Sequence, residues 1–575
     1  MGSKKLTMES TLGEVYDTPI GHDVLKKVLL QLGAEDILIT NPLVSKIPVS
    51  MIGKLTGHSM GQGFYETLIN LCNSEKKAYK DTKHYYTPKW WKEAVFYQIY
   101  PRTFCDSNGD GVGDIQGIIK RLDYLKNLGV DALWLSPIYD SPNDDNGYDI
   151  RDYRKIMTEF GTMEDFEELL DKVHEKGMRL IMDLVVNHTS DEHEWFKDAI
   201  SDKGSKYRDY YFIKENSDKA PNNWKSFFSG PAWGQYGEDE LWALHLFSKK
   251  QVDLNWENAG LRRDIEDMIR FWLKKGVDGF RMDVINYISK GSLKDGDETI
   301  GKMFGFTGIE HYLYGPHLHE YLHELHEEAF APFDAFSVGE TPGVGMEMAK
   351  LLTGESREEI DMIFSFDHLE TPGHERFDDY KYDLNYYRNY ITDWMENYGK
   401  DCWMSLFYDN HDNPRMLSKV ETDPRKQQAA ARLLAVMQFT LRGTPFIFQG
   451  DEMGLRNYEF TSMEEITDVE SKNKYAELCG SGMSEEKAFK TILSGTREHA
   501  RVMMPWDDSG ISPHDPHRKV AMTQKADLDL TEVYKKLIAL RKRYNALRYG
   551  EFKVLNKRRD RFTYERYDKN EKFVI

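Results

Sequence analysis

The chain has 575 residues, 40% of them hydrophobic and 13% aromatic, which is enough apolar material for a large core and excludes a disordered protein. Its formal net charge of −20 repels phosphate backbones, so no nucleic-acid partner is expected. No apolar run reaches the roughly 18 residues of a membrane span, the start lacks the apolar stretch of a secretory signal, and the four cysteines form no CxxC pair; no membrane partner, disulfide framework or zinc site is expected, and the expected compartment is the cytosol.

In chain order, residues 1–88 read as a separate N-terminal helical unit, because apolar positions in 21–30 and 64–71 recur at helical spacing. No chemistry can be assigned to it. From residue 89 the pattern alternates strand with helix. Short apolar runs at 95–99, 132–135, 180–184, 279–282, 335–338, 362–366, 404–407 and 446–448 read as buried strands. Between the first of these lies a helix with Ile115, Ile118, Ile119, Leu122, Leu125 and Leu128 on one face and Gly129 as its stop. A second carries Phe166, Leu169, Leu170 and Val173 and closes at Gly177. Eight such steps predict an α/β protein built on a (β/α)8 TIM barrel, running through 89–188 and 253–545. Residues 189–252 have clustered aromatics and no matching helix, which predicts an inserted subdomain after strand 3. Residues 546–575 read as the start of a C-terminal β domain, and an apolar sheet stopping there is expected to be truncated.

Three carboxylates follow three of these strands: Asp283, Glu340 and Asp412. Strand ends converging on one face are how a barrel builds an active site, and paired carboxylates are the equipment for cleaving a glycosidic bond. Asp283 is the candidate nucleophile. Arg281, two residues earlier, points to the same side of its strand and would hold Asp283 ionised. Glu340 is the candidate acid/base, with its pKa raised by the nearby charge. Asp412 and His411 would hydrogen-bond sugar hydroxyls. A further loop, 106–114, offers oxygen at alternate positions: Asp106, Asn108, Asp110, the Val112 carbonyl and Asp114, a set suited to a hard cation. It is not a full EF-hand, since position twelve is Gly117.

From Trp90 onward these motifs resemble the α-amylase superfamily, glycoside hydrolase family 13. The matching stretches are Asp183-Leu184-Val185-Val186-Asn187-His188, Gly279 through Asn286, Val338-Gly339-Glu340 and Asp409-Asn410-His411-Asp412; Gln251-Val252-Asp253-Leu254-Asn255 is similar to a fifth, with Val252 in place of the usual proline. The resemblance implies Asp283 as nucleophile, Glu340 as acid/base and Asp412 as transition-state stabiliser. It implies a substrate-binding set of Tyr148, Asp149, His188, Arg281, Val284, His411 and Arg415. In that set Asp149 and Arg415 would pair to grip the non-reducing glucose while Tyr148 stacks on its ring. A structural calcium ion in the 106–114 loop is implied, with no organic cofactor. Val284 is the residue carried by α-1,6-specific members. The implied activity is therefore a retaining, exo-acting oligo-1,6-glucosidase working on short oligosaccharides. The alternatives are an α-1,4-glucosidase, a sucrose-active isomerising relative, or a non-catalytic carbohydrate-binding or transporter-associated barrel. The sequence carries no sign of the oligomeric state.

Overall fold

The computed structural model describes residues 5–31, 37–55, 62–74, 87–215, 218–237, 241–369, 371–506, 527–559 and 561–575. Eight parallel strands run β1 (Phe96–Ile99), β2 (Ala132–Leu135), β3 (Arg179–Leu184), β4 (Gly279–Met282), β5 (Phe336–Glu340), β6 (Met362–Phe364), β7 (Ser405–Leu406) and β8 (Thr444–Phe448). Each pairs with its neighbours in sequence, β8 pairs with β1, and a bridge from Ile363 to Met404 joins β6 to β7, so the sheet closes into a barrel. Both faces of every strand are covered, which is why the strands read as apolar runs rather than as alternation. Phe96, Trp134, Ile181, Phe336, Val338, Phe364 and Phe446 fill the interior. The two helices expected after β1 and β2 are Ile115–Leu128, stopped by Gly129 in the left-handed conformation, and Met163–Glu175, capped by Thr162. Strand β5 extends to include Glu340, and β6 ends at Phe364, two residues short of expectation.

After β3 the chain leaves the barrel. His188–Ser190 pairs antiparallel with Gln251–Asp253, so the two ends of the excursion are stapled together. Between them Ile213–Lys214, Trp233–Tyr236 and Leu241–Leu244 form a three-stranded antiparallel sheet. The excursion also holds a helix, Glu194–Ser201, where none was expected; it buries only Phe196 and Ala199, too few positions to show a period. At the other end of the chain, Glu551–Arg558, Arg561–Tyr567 and Lys572–Val574 make an antiparallel sheet that buries Tyr564 and leaves Leu555 and Val574 exposed.

Residues before the barrel pack onto it. The helix Pro19–Gln31 lies against the helix Met346–Thr353. That second helix begins at Gly345, which has no side chain to cap it. The Asp23 carboxylate does so instead, accepting from the amides of Glu347 (3.2 Å) and Met348 (2.7 Å). The approach is close enough that a Cβ on Gly345 would sit 2.6 Å from the Asp23 carboxyl carbon. Lys26 adds an ion pair to Asp393 at 2.7 Å. Removing the capping oxygens should cost about 1–2 kcal/mol, as loss of a helix cap does. Asp23→Ala is therefore expected to lower the Tm in thermal unfolding, and an unchanged Tm would show that Asp23 carries no part of the docking.

Candidate active site

The carboxyl ends of the barrel strands open into a cavity of about 1080 Å³. Strand β4 places Arg281 inside the barrel, in register with Asp183 on β3 and Val338 on β5. Its guanidinium is buried on the Trp134 ring, 5.2 Å away. Nη1 donates to Asp183 Oδ1 (2.8 Å) and Asp283 Oδ1 (2.7 Å), and Nη2 lies 2.6 Å from Glu340 Oε2. One cation thus holds three carboxylates. Asp183 is fixed in turn by Trp134 Nε1 (3.1 Å) and Tyr148 Oη (3.0 Å).

Burial dominates the protonation of this group, since taking a carboxylate out of water disfavours its charged form. It pushes Asp283 up to about 7, against the pull of Arg281 and with help from Asp183. It pushes Glu340 higher, to about 8, because Glu340 also faces the charges of Asp283 and Asp412. Asp412 goes the other way. Burial opposes its ionisation, yet the His411 ring, Arg497 and Arg501 outweigh it and hold the carboxyl well below the usual range. The nearest contacts are His411 Nε2 at 3.0 Å, Arg501 at 2.8 Å and Arg497 at 3.2 Å.

Between Asp283 and Glu340 the backbone is strained. Val284, β-branched and 7% exposed, sits at φ 34° and ψ 41°, in the left-handed region. Such a residue costs on the order of 1–3 kcal/mol and persists only where its surroundings over-determine it. Here the twist aims the Val284 amide at Glu340 Oε2, 3.1 Å away.

The expected set divides on contact with the cavity. Tyr148, His188, Val284, Asp283, Glu340 and Asp412 line it. The Tyr148 ring lies parallel to His411 at 5.1 Å. Burial pushes His188 down to about 4, so its ring is neutral. Asp149 and Arg415 are a correction: they do not pair. Asp149 is fully buried and spends its oxygens on Ser141 Oγ and the amides of Asp144 and Asp145. Arg415, also buried, bonds Asp451 and the Gln449 carbonyl, and holds the loop that follows β7. The pair that stands at the cavity is Asp145 with Arg497, Nη2 to Oδ1 2.9 Å, with the guanidinium over Phe228. Asp145, four residues before Asp149, is the carboxylate of this turn that reaches the cavity. Arg497 belongs to a stretch with no strand–helix rhythm, and no sequence signal linked it to Asp145. Gln98 was also missed, although a polar residue within the apolar Phe96–Ile99 run marks it. Its Nε2 lies 2.8 Å from His411 Nδ1, which leaves the imidazole proton on Nε2, facing Asp412.

In the 106–114 loop the Asp106, Asn108 and Asp110 side chains accept from backbone amides within the loop, and Asp114 caps the following helix through the Gly117 amide. The donor set is oxygen only. Among the described residues, no three His, Cys, Asp or Glu side chains are grouped to hold a metal ion.

A closed parallel barrel with buried carboxylates and an aromatic cavity at its strand ends defines a glycoside hydrolase. The chain belongs to the α-amylase family, whose model "Alpha amylase, catalytic domain" matches residues 98–550. It is similar to the oligo-1,6-glucosidase of Bacillus cereus, with 46% identity over 485 residues that cover 81% of this chain and 86% of that one. It is also similar to the trehalose-6-phosphate hydrolase of Bacillus subtilis strain 168, 41% identical over 84% of this chain and 89% of that one. Among solved structures, a variant isomaltulose synthase from Erwinia rhapontici NX5 in complex with D-glucose superposes with a TM-score of 0.79 at 39% identity, covering 85% of this chain and 90% of that chain.

Catalysis that needs Asp283 ionised and Glu340 protonated gives a bell-shaped pH dependence of kcat/KM. The acid limb is expected at about 7 and the alkaline limb at about 8. The two values belong to the coupled pair. An alkaline limb at about 4.3, the ordinary value of a glutamate, would show that Glu340 does not hold the proton.

Proposed function

We propose that this protein is a retaining exo-α-glucosidase that releases terminal α-1,6-linked glucose from short isomalto-oligosaccharides. The observation that carries the reading is that Asp283 and Glu340 share one guanidinium, Arg281 lying 2.7 Å from the first and 2.6 Å from the second. Retaining enzymes need such proximity, about 5–5.5 Å, whereas inverting ones hold the two carboxyls about 6.5–9.5 Å apart to admit a water.

Glu340 gives its proton to the glycosidic oxygen as that bond breaks. Asp283 attacks the anomeric carbon and forms a glucosyl ester. Glu340, now ionised, takes a proton from water, whose oxygen displaces Asp283; two inversions give net retention. Asp412, held ionised, and the His411 Nε2 proton bind hydroxyls of the reacting ring as it flattens. Asp145 and Arg497 grip the terminal sugar and close that end, which makes the action exo. Val284 sets the linkage preference, and the relatives named oligo-1,6-glucosidase support the α-1,6 reading. A second reading, isomerisation of sucrose, is favoured by the similarity to isomaltulose and trehalulose synthases. The four cysteines are free thiols, which supports the cytosol as the compartment.

Isomaltose is expected to yield glucose faster than maltose, with both reactions lost in Asp283→Asn. Product analysis on sucrose separates the second reading: isomaltulose or trehalulose in place of monosaccharides would replace the first. Val284→Thr is expected to reduce the isomaltose-to-maltose ratio of kcat/KM by about 10–100-fold, the range one side chain supplies. An unchanged ratio would remove Val284 from the linkage choice.

We further propose that Asp106, Asn108, Asp110, Asp114 and the Val112 carbonyl bind calcium as a structural ion that orders the loop after β1. Calcium should raise the Tm of chelator-treated protein, and Asp110→Ala should abolish that rise. Equal Tm values with calcium and with chelator would exclude the site.

A further inference from the structure

The end of strand β5 is gripped by three consecutive residues that follow Asp283. The Val284 amide donates to Glu340 Oε2 at 3.1 Å. Ile285 packs so closely on Gly339 that a Cβ there would lie 2.9 Å from its Cγ2. Asn286 Nδ2 donates to the Pro342 carbonyl at 3.0 Å and to the Leu313 carbonyl at 2.9 Å. These residues lead into the short helical turn Ile285–Tyr287, and all three are buried. On the opposite side β6 holds the same strand end, where Thr341 Oγ1 donates to the Phe364 carbonyl at 3.3 Å.

Asn286 is fully buried, and both protons of its Nδ2 are spent on carbonyl oxygens, so the amide can face only one way. Its Oδ1 has no hydrogen-bond partner among the described residues. A buried amide that leaves its oxygen unpaired is placed there for its two donors. Those donors tie the turn after Asp283 to the turn after Glu340. At the Glu340 carboxyl, Oε2 accepts from the Val284 amide and lies 2.6 Å from Arg281 Nη2. An oxygen that faces two N–H donors is not the one that carries the acidic proton, which leaves that proton on Oε1. The Val284 amide and the Asn286 side chain are thus two jaws of one clamp, closed on Glu340 and on the carbonyl two residues beyond it. Asn286 itself does not line the cavity, so any effect it has on the reaction passes through the residues it holds.

We infer that Asn286 is a positioning residue for proton delivery: by holding the Pro342 carbonyl it keeps Glu340 against the Val284 amide and aims the Oε1 proton at the glycosidic oxygen. This rests on the α-glucosidase reading given above, in which Glu340 is the general acid. Acid assistance matters in proportion to the basicity of the departing group. A misaimed acid therefore slows the release of an alcohol and spares a group that leaves as a weak base. A change that merely loosens the fold slows both alike.

The test compares isomaltose with α-D-glucosyl fluoride, using the full chain and its Asn286→Ala and Asn286→Asp variants. The sugar alcohol of isomaltose needs a proton as it departs, whereas fluoride leaves with little help from an acid. For Asn286→Ala, kcat/KM on isomaltose should fall about 10–100-fold, the cost of misplacing a reacting group by up to about 1 Å. The fall should lie in kcat, with KM nearly unchanged. On glucosyl fluoride the loss in kcat/KM should stay below about threefold, which also reports that the variant is folded. Asn286→Asp keeps the side-chain volume and gives up at least one donor, so it should show the same contrast to a smaller extent. Equal losses on the two substrates, a loss carried by KM, or no loss on isomaltose would overturn the positioning role and leave the glucosidase reading intact. Unaltered, folded protein that hydrolyses neither substrate would overturn the glucosidase reading and the positioning role with it.

Discussion

One buried guanidinium governs this site. Arg281 is buried, and Asp183, Asp283 and Glu340 surround its guanidinium at hydrogen-bonding distance. Ion groups of this kind add little net stability, because desolvation offsets the attraction. What they fix is geometry and proton placement. Three carboxylates around one cation cannot all ionise at equal cost, so a proton stays with the group that sees the most negative charge, and that group is Glu340. The barrel makes the arrangement possible by presenting Asp183, Arg281 and Val338 at one level of adjacent strands.

A second charge system is arranged in the opposite sense. Arg497 and Arg501 converge on Asp412 and Asp468, and positive charge there outweighs burial. Two neighbouring regions of one cavity thus hold carboxyls at opposite ends of their range. One is fitted to hold a proton and the other to hold a negative charge. Neither depends on a flexible side chain: Gln98 fixes the His411 ring, Trp134 underlies Arg281, and Phe228 lies beneath Arg497.

The barrel was legible because its strands are covered on both faces and so announce themselves as apolar runs, and because the helices between them carry clean stops such as Gly129. Asp283, Glu340 and Asp412 were legible for the same reason, each lying at or soon after such a run. The ion pair at the cavity was not. Asp145 and Arg497 are 352 residues apart, and a contact of that separation leaves no periodic trace. Asp149 and Arg415 are attractive substitutes in sequence because each sits beside a recognised motif; only burial shows that their charges are used internally. The Glu194–Ser201 helix escaped notice because two apolar residues make no period. The N-terminal unit was visible as helices, but nothing in its sequence indicates that its Asp23 would cap a helix 325 residues later.

That last contact bears on how the chain is made. The amides that Asp23 accepts belong to residues synthesised 324 and 325 positions after it. At roughly 5–20 residues per second, the N-terminal helices leave the ribosome about 15–65 seconds before their resting place exists. Throughout that interval the Asp23 side of the helix Pro19–Gln31 has no partner helix to lie against. The nascent chain therefore completes the helix Pro19–Gln31 long before the helix that it caps, so their docking is a late event in the making of the fold.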